Sequence, residues 1–212
     1  MSFSPAHIEQ KSFEIIEALV PEHGYSLEEW AIVRRMIHAA GDVEFARTTR
    51  FHKDAVQRGI NALKNGCYVI TDTHMLLAGI TTGRLQRLNA KAVCYISDED
   101  VRLKAKAHGI TRAMAAVDKA LPILNGSIVA IGNAPTALIR LMEHVDSGLA
   151  TPALVIGLPV GFVNCAESKE MLASKSYPFI TSLGPKGGSG LAASVVNALA
   201  IMALQDESFV NE

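Results

Sequence analysis

His38 is the side chain in this sequence best suited to moving a proton. It lies in the segment Arg34-Arg35-Met36-Ile37-His38-Ala39-Ala40-Gly41-Asp42. There Trp30, Val33, Ile37 and Gly41 fall on one stripe at about 100° per residue. His38 sits on the flank of that stripe, one turn after Arg34 and one turn before Asp42. Imidazole changes charge near neutral pH, so it serves as acid or base. At helical spacing Asp42 would reach one ring nitrogen, fix the tautomer and leave the other nitrogen free. Ala39, Ala40 and Gly41 keep the adjoining surface low, which suits a large flat ligand. Taken alone, the same pattern more often marks a structural His–Asp pair at a buried helix edge.

Three glycine-rich segments are the second feature that could carry chemistry. Gly132-Asn133-Ala134-Pro135-Thr136 follows the apolar run ending at Ile131. Gly157-Leu158-Pro159-Val160-Gly161-Phe162 follows the run ending at Ile156 and leads to Glu167-Ser168-Lys169. Gly184-Pro185-Lys186-Gly187-Gly188-Ser189-Gly190 follows the last apolar run and opens a helix. Each alone reads as ordinary turn chemistry. Together, at the carboxyl edge of a sheet, they let a bulky ligand approach the backbone. The last also offers N–H groups at a helix start with Lys186 adjacent, an anion site. It spells neither a P-loop nor G-x-G-x-x-G, so a nucleotide-dependent oxidoreductase has little support. G-x-S-x-G is absent, and His7, His23, His52, His74, His108 and His144 form no H-x₃-H pair. A serine triad and a protein-bound metal are therefore not expected.

The elements that must position these segments follow from the hydrophobic pattern. Residues 1–65 read as helical throughout, with Ser26 and Glu29 forming a capping box. Helices are expected at about Leu27–Phe45 and Lys53–Lys64. From Cys67 onward, short apolar runs alternate with helical stretches. The runs are CYVITD (67–72), AVCYIS (92–97), SIVAIG (127–132), ALVIGL (153–158) and PFITSL (178–183). Strands apolar on both faces and separated by helices predict an α/β fold, an open and mainly parallel sheet of about five strands covered by helices. With no repeat or linker, the chain reads as one domain over 1–212, its helical part at 1–65 and its α/β core at 66–212.

Composition narrows the classes further. Hydrophobic residues form 49% of the 212 and charged residues 19%, so the chain should fold around one core. Twenty basic against twenty-one acidic residues argue against a nucleic-acid partner. Three dispersed cysteines suggest neither a disulfide framework nor a zinc site. The charged N-terminus does not resemble a signal peptide, and no run approaches a membrane span. A cytoplasmic protein without membrane association is expected.

In order along nearly the whole chain, five segments resemble the precorrin-8X methylmutase family. They are Ile8-Glu9-Gln10-Lys11-Ser12-Phe13, Arg35-Met36-Ile37-His38-Ala39, Ala130-Ile131-Gly132-Asn133-Ala134-Pro135-Thr136-Ala137-Leu138, the Gly157-to-Phe162 turn with Ala166-Glu167-Ser168-Lys169, and Gly187-Gly188-Ser189. The resemblance implies an isomerase of cobalamin biosynthesis that moves a methyl group from C11 to C12 of a corrin-precursor tetrapyrrole. It implies His38 as proton donor and acceptor and Ser12 as a substrate-binding residue. By similarity, Thr81, Arg84 and Arg112 fall in pocket-forming stretches, and Arg35, Asn133 and Ser189 fall in the matching segments. Lys186, just before the last of them, is a substrate-binding candidate through the anion site at the helix start. The resemblance also implies a homodimer with active sites near the interface; tight product binding, expected on physical grounds, would serve handover to a neighbouring pathway enzyme. Gln86, where relatives often have Pro, and Lys186-Gly187, where they often have Arg, are local departures. A methyl shift needs no redox cofactor and no nucleophile, so no cofactor is expected and any cobalt belongs to the substrate. A non-catalytic carrier of the same tetrapyrrole is the alternative.

Overall fold

The computed structural model describes residues 4–208; residues 1–3 and 209–212 of the expected domain lie outside it. The helices are α1 (Pro5–Leu19), α2 (Leu27–Ala40), α3 (Phe45–Thr48), α4 (Ala55–Lys64), α5 (His74–Gly79), α6 (Thr82–Arg87), α7 (Glu99–His108), α8 (Arg112–Ala120), α9 (Pro135–Asp146), α10 (Cys165–Ala173) and α11 (Ser189–Ser208). The strands are β1 (Thr49–Phe51), β2 (Tyr68–Thr71), β3 (Lys91–Cys94), β4 (Ile128–Ile131), β5 (Leu154–Gly157) and β6 (Phe179–Ser182). They form one sheet in the order β1-β6-β5-β4-β2-β3.

All five apolar runs are strands, and every pairing among them is parallel. The sixth strand corrects the helical reading of 1–65. Thr49, Arg50 and Phe51 pair antiparallel with Ser182, Thr181 and Ile180 at the sheet edge. Three residues are too few to show a period of two, which hid the strand.

Alternation along the strands sends their side chains to two cores. Ile128 and Ala130 join α2, α4 and α11, while Val129 and Ile131 join α8 and α9. Helix α11 is buried nearly all round because the sheet lies on one side and α2, α4, α5 and α6 on the others. The capping box at Ser26 and Glu29 forms as expected. Helix α2 stops earlier than Phe45, however. Gly41 takes a left-handed φ of 66° and closes the helix through its N–H to Ile37 O.

Two consequences position the site. The chain goes from β2 outward to β3, then returns to the other side of β2 with β4. The strand order therefore reverses between β2 and β4, the kind of crevice where open α/β sheets bind ligands. In addition, β1 begins beside the end of β6, since Thr49 pairs with Ser182. The α2–β1 connection, with the last turn of α2 carrying His38, thus sits at the carboxyl edge.

Candidate active site

The three glycine-rich loops meet at that carboxyl edge. Asp72, buried at the end of β2, accepts hydrogen bonds from the N–H groups of Gly132 (3.0 Å), Asn133 (2.8 Å) and Ala134 (2.8 Å). It thereby spans the β2–β4 crevice and holds the loop entering α9. Burial pushes the Asp72 carboxyl upward, and the three N–H donors oppose that shift. Thr73 Oγ1 and Ser189 Oγ lie 2.9 Å apart, joining the β2 end to the start of α11.

Close backbone approach explains two of the glycines. A Cβ on Gly132 would lie 2.6 Å from Ser189 Cα, and one on Gly187 would lie 2.3 Å from Pro159 O. Gly188 N–H donates to Leu158 O (2.9 Å) and Gly161 N–H to Pro185 O (3.2 Å). Behind these loops Lys169 is fully buried, and its ammonium donates to Lys186 O at 2.7 Å. Burial pushes this amine below the usual lysine value.

His38 lies on a second face, at the α1–α2 contact. It is exposed, and its ring meets Phe13 edge-on with centroids 5.7 Å apart. With Ser12, Ile15, Leu19, Ile37 and Val43 it lines an open concavity of about 260 Å³. Ser12 Oγ donates to Ile8 O (2.8 Å), and Arg35 pairs with Glu9 (2.8 Å). Arg34 and Arg35 both stand over the Phe13 ring. A larger concavity of about 470 Å³, lined by Ser26, Lys53 and Met202 among others, holds none of the nominated residues. It opens at the amino ends of the strands.

The structure gives Asp42 different partners from the expected His38 ring. Because Gly41 turns the chain out of the helix, the Asp42 carboxylate accepts from Lys186 Nζ (2.6 Å) and from Glu44 N–H (2.9 Å). The Lys186 ammonium holds the Asp42 carboxyl below the usual value. Lys186 also pairs with Glu44. This ammonium therefore links the loop before α11 to the corner beside His38.

The remaining nominated residues fall partly at the crevice and partly away from both faces. The exposed Asn133 and the buried Ser189 stand at the crevice. Arg112 opens α8, whose cap Thr111 bonds Thr136 at the start of α9 (3.0 Å). Arg112 is exposed, and its guanidinium has no side-chain hydrogen bond or ion pair among the described residues. Thr81 and Arg84 lie elsewhere: Thr81 N–H donates to Asn197 Oδ1 (2.8 Å), and Arg84 donates to Thr81 Oγ1 (3.1 Å). Asn197 is about 12 Å along α11 from Ser189 at 1.5 Å per residue. Within one chain these two are not brought to the crevice. Asp72 and Lys169 were not singled out from sequence. An acidic residue ending a strand just before a helix cap was the available signal for Asp72.

Comparison with known proteins identifies the family. Residues 7–202 match the model of the precorrin-8X methylmutase family. A cobalt-precorrin-8 methylmutase from Priestia megaterium is 44% identical over 203 residues, covering 96% of this chain and 90% of that protein. A precorrin-8X methylmutase from a Sinorhizobium species is 42% identical, covering 91% and 92%. The solved structure of precorrin-8X methyl mutase from Thermus thermophilus superposes with a TM-score of 0.89 at 41% identity, covering 95% of this chain and 97% of that one. This chain belongs to the precorrin-8X methylmutase family.

Proposed function

We propose that the chain is an isomerase acting on a corrin-precursor tetrapyrrole in cobalamin biosynthesis, moving a methyl group from C11 to C12, with His38 handling the proton. The observation that carries this reading is the exposed imidazole in an apolar concavity beside Ser12, within a family match over residues 7–202. Methyl migration around a conjugated ring is eased when the π-system is biased, and protonation of a ring nitrogen supplies that bias. His38 gives that proton and recovers it after the shift, so no net proton is consumed. Histidine suits the task because both of its forms are accessible near neutral pH.

The substrate carries peripheral carboxylates, which Arg112, Lys186 and the N–H groups at the start of α11 are suited to bind. Lys186 now pairs with Asp42 and Glu44, so a substrate carboxylate would compete for it. The reaction calls for no resident cofactor, and cobalt, where present, enters with the substrate. A homodimer with its active sites near the interface fits this reading. The exposed Ile8, Ile15, Leu19 and Val43 around the His38 face support such an assembly. Release of product to a neighbouring cytoplasmic enzyme completes the reading.

The test is incubation of purified protein with the metal-free and the cobalt-containing substrate, followed by absorption spectroscopy. A spectral change to the rearranged ring with either form is expected. Pigment binding without any change would favour the carrier.

A further inference from the structure

We propose that Phe162, flanked by Val160 and Val163, packs against the flat apolar surface of the macrocycle, an assignment that rests on the corrin-precursor reading above. Phe162 is 94% exposed and Val163 79% exposed, on the loop leaving β5. Single exposed apolar residues are ordinary. Here three exposed apolar residues occur within four positions of one loop.

The base of that loop is pinned on every side. Leu158 O accepts from Gly188 N–H (2.9 Å), and Gly161 N–H donates to Pro185 O (3.2 Å). The Cys165 thiol, fully buried, donates to Pro159 O (3.1 Å). The tip that carries Phe162 is therefore held outward by a fixed frame. Its anchor, Pro185, directly precedes Lys186, which pairs with Asp42 beside the His38 concavity. The loop thus belongs to the same carboxyl edge as the candidate active site.

Chemistry selects the occupant. The crevice side of that edge offers Asn133, Thr73, Ser189 and Arg112, groups suited to a carboxylate rim and not to an apolar ring face. A conjugated macrocycle has both a charged rim and broad apolar faces. An aromatic side chain held out at the edge supplies stacking area with little conformational entropy to lose.

The test compares wild type, Phe162→Ala and Phe162→Trp for binding of the rearranged corrin product and for turnover. The Ala variant should bind about tenfold more weakly, about 1.4 kcal/mol. Its KM should rise while kcat stays within about twofold, because Phe162 moves no proton. The Trp variant should retain affinity, and the melting temperature should not change. Equal affinity of the Ala variant would overturn the proposal. So would an altered oligomeric state with affinity kept, which would assign the loop to a second copy. Failure of the wild-type protein itself to bind the macrocycle would instead overturn the functional reading beneath it.

Discussion

Replacing Asp72 with Asn probes the crevice at its most connected point. One carboxylate oxygen accepts from Gly132 N–H, and the other accepts from Asn133 and Ala134 N–H. An amide has one oxygen and one NH₂ group. Its better orientation keeps the oxygen on Asn133 and Ala134 and turns the NH₂ toward the Gly132 N–H, donor against donor. The change thus orphans one buried N–H, at about 1–3 kcal/mol, and removes the charge from two surviving bonds. Relief of the buried charge offsets part of this, since burial disfavours the ionised Asp72. The net expectation is a loss of about 2–3 kcal/mol. For a domain of this size that lowers the melting temperature by roughly 4–12 °C. The displaced 132–134 loop should also raise KM, because Gly132 packs directly on Ser189. Thermal melting and steady-state kinetics on one preparation measure both effects. A variant that melts within about 1 °C of wild type with unchanged KM would refute the argument.

Two further predictions rest on separate features. Gly187→Ala would place a methyl 2.3 Å from Pro159 O and 2.4 Å from Leu158 O, both backbone atoms. The two loops must part, costing about 1–3 kcal/mol and weakening product binding by calorimetry; binding equal to wild type would show the loops to be independent. Asp118 is buried, and although burial opposes it, hydrogen bonds from Arg140, His144 and Lys104 hold its carboxyl at about 2. A depressed carboxylate stabilises the fold above its ordinary value near 3.8 and loses that contribution as pH falls toward 2. Stability measured by urea unfolding should therefore decline between about pH 4 and pH 2. In Asp118→Asn, less stable at neutral pH, this part of the decline should be missing; an identical acid limb would contradict the assignment.

The sequence showed the parallel core clearly because each central strand is buried on both faces. A continuous apolar run such as Ile128–Ile131, bounded by Gly126-Ser127 and Gly132-Asn133, has few other readings. Edge elements were harder to see. Thr49–Phe51 is short, contains Arg50 and gains its pairing only from β6. Helix α6 begins near Gly83 and Thr82, which carry weak helical preference. Gly41 did signal the end of α2, as a glycine after a periodic segment usually does. Reading past it placed Asp42 on the next helical turn and paired it with His38. The partner it has instead, Lys186, is 144 positions away in sequence, a distance that local spacing does not reach. Lys169 shows the same limit: a lysine reads as exposed unless the fold supplies a carbonyl for it, as Lys186 O does here.

The central claim is that His38 moves the proton, and His38→Ala tests it most directly. The side chain is exposed and touches the fold through the Phe13 ring contact, so the variant should fold and still bind the pigment. Single-turnover absorption spectroscopy with enzyme in excess over substrate then reads chemistry apart from binding. Loss of a general acid–base is expected to slow conversion by about 10²–10⁴-fold. Conversion by His38→Ala at the wild-type rate would contradict the account.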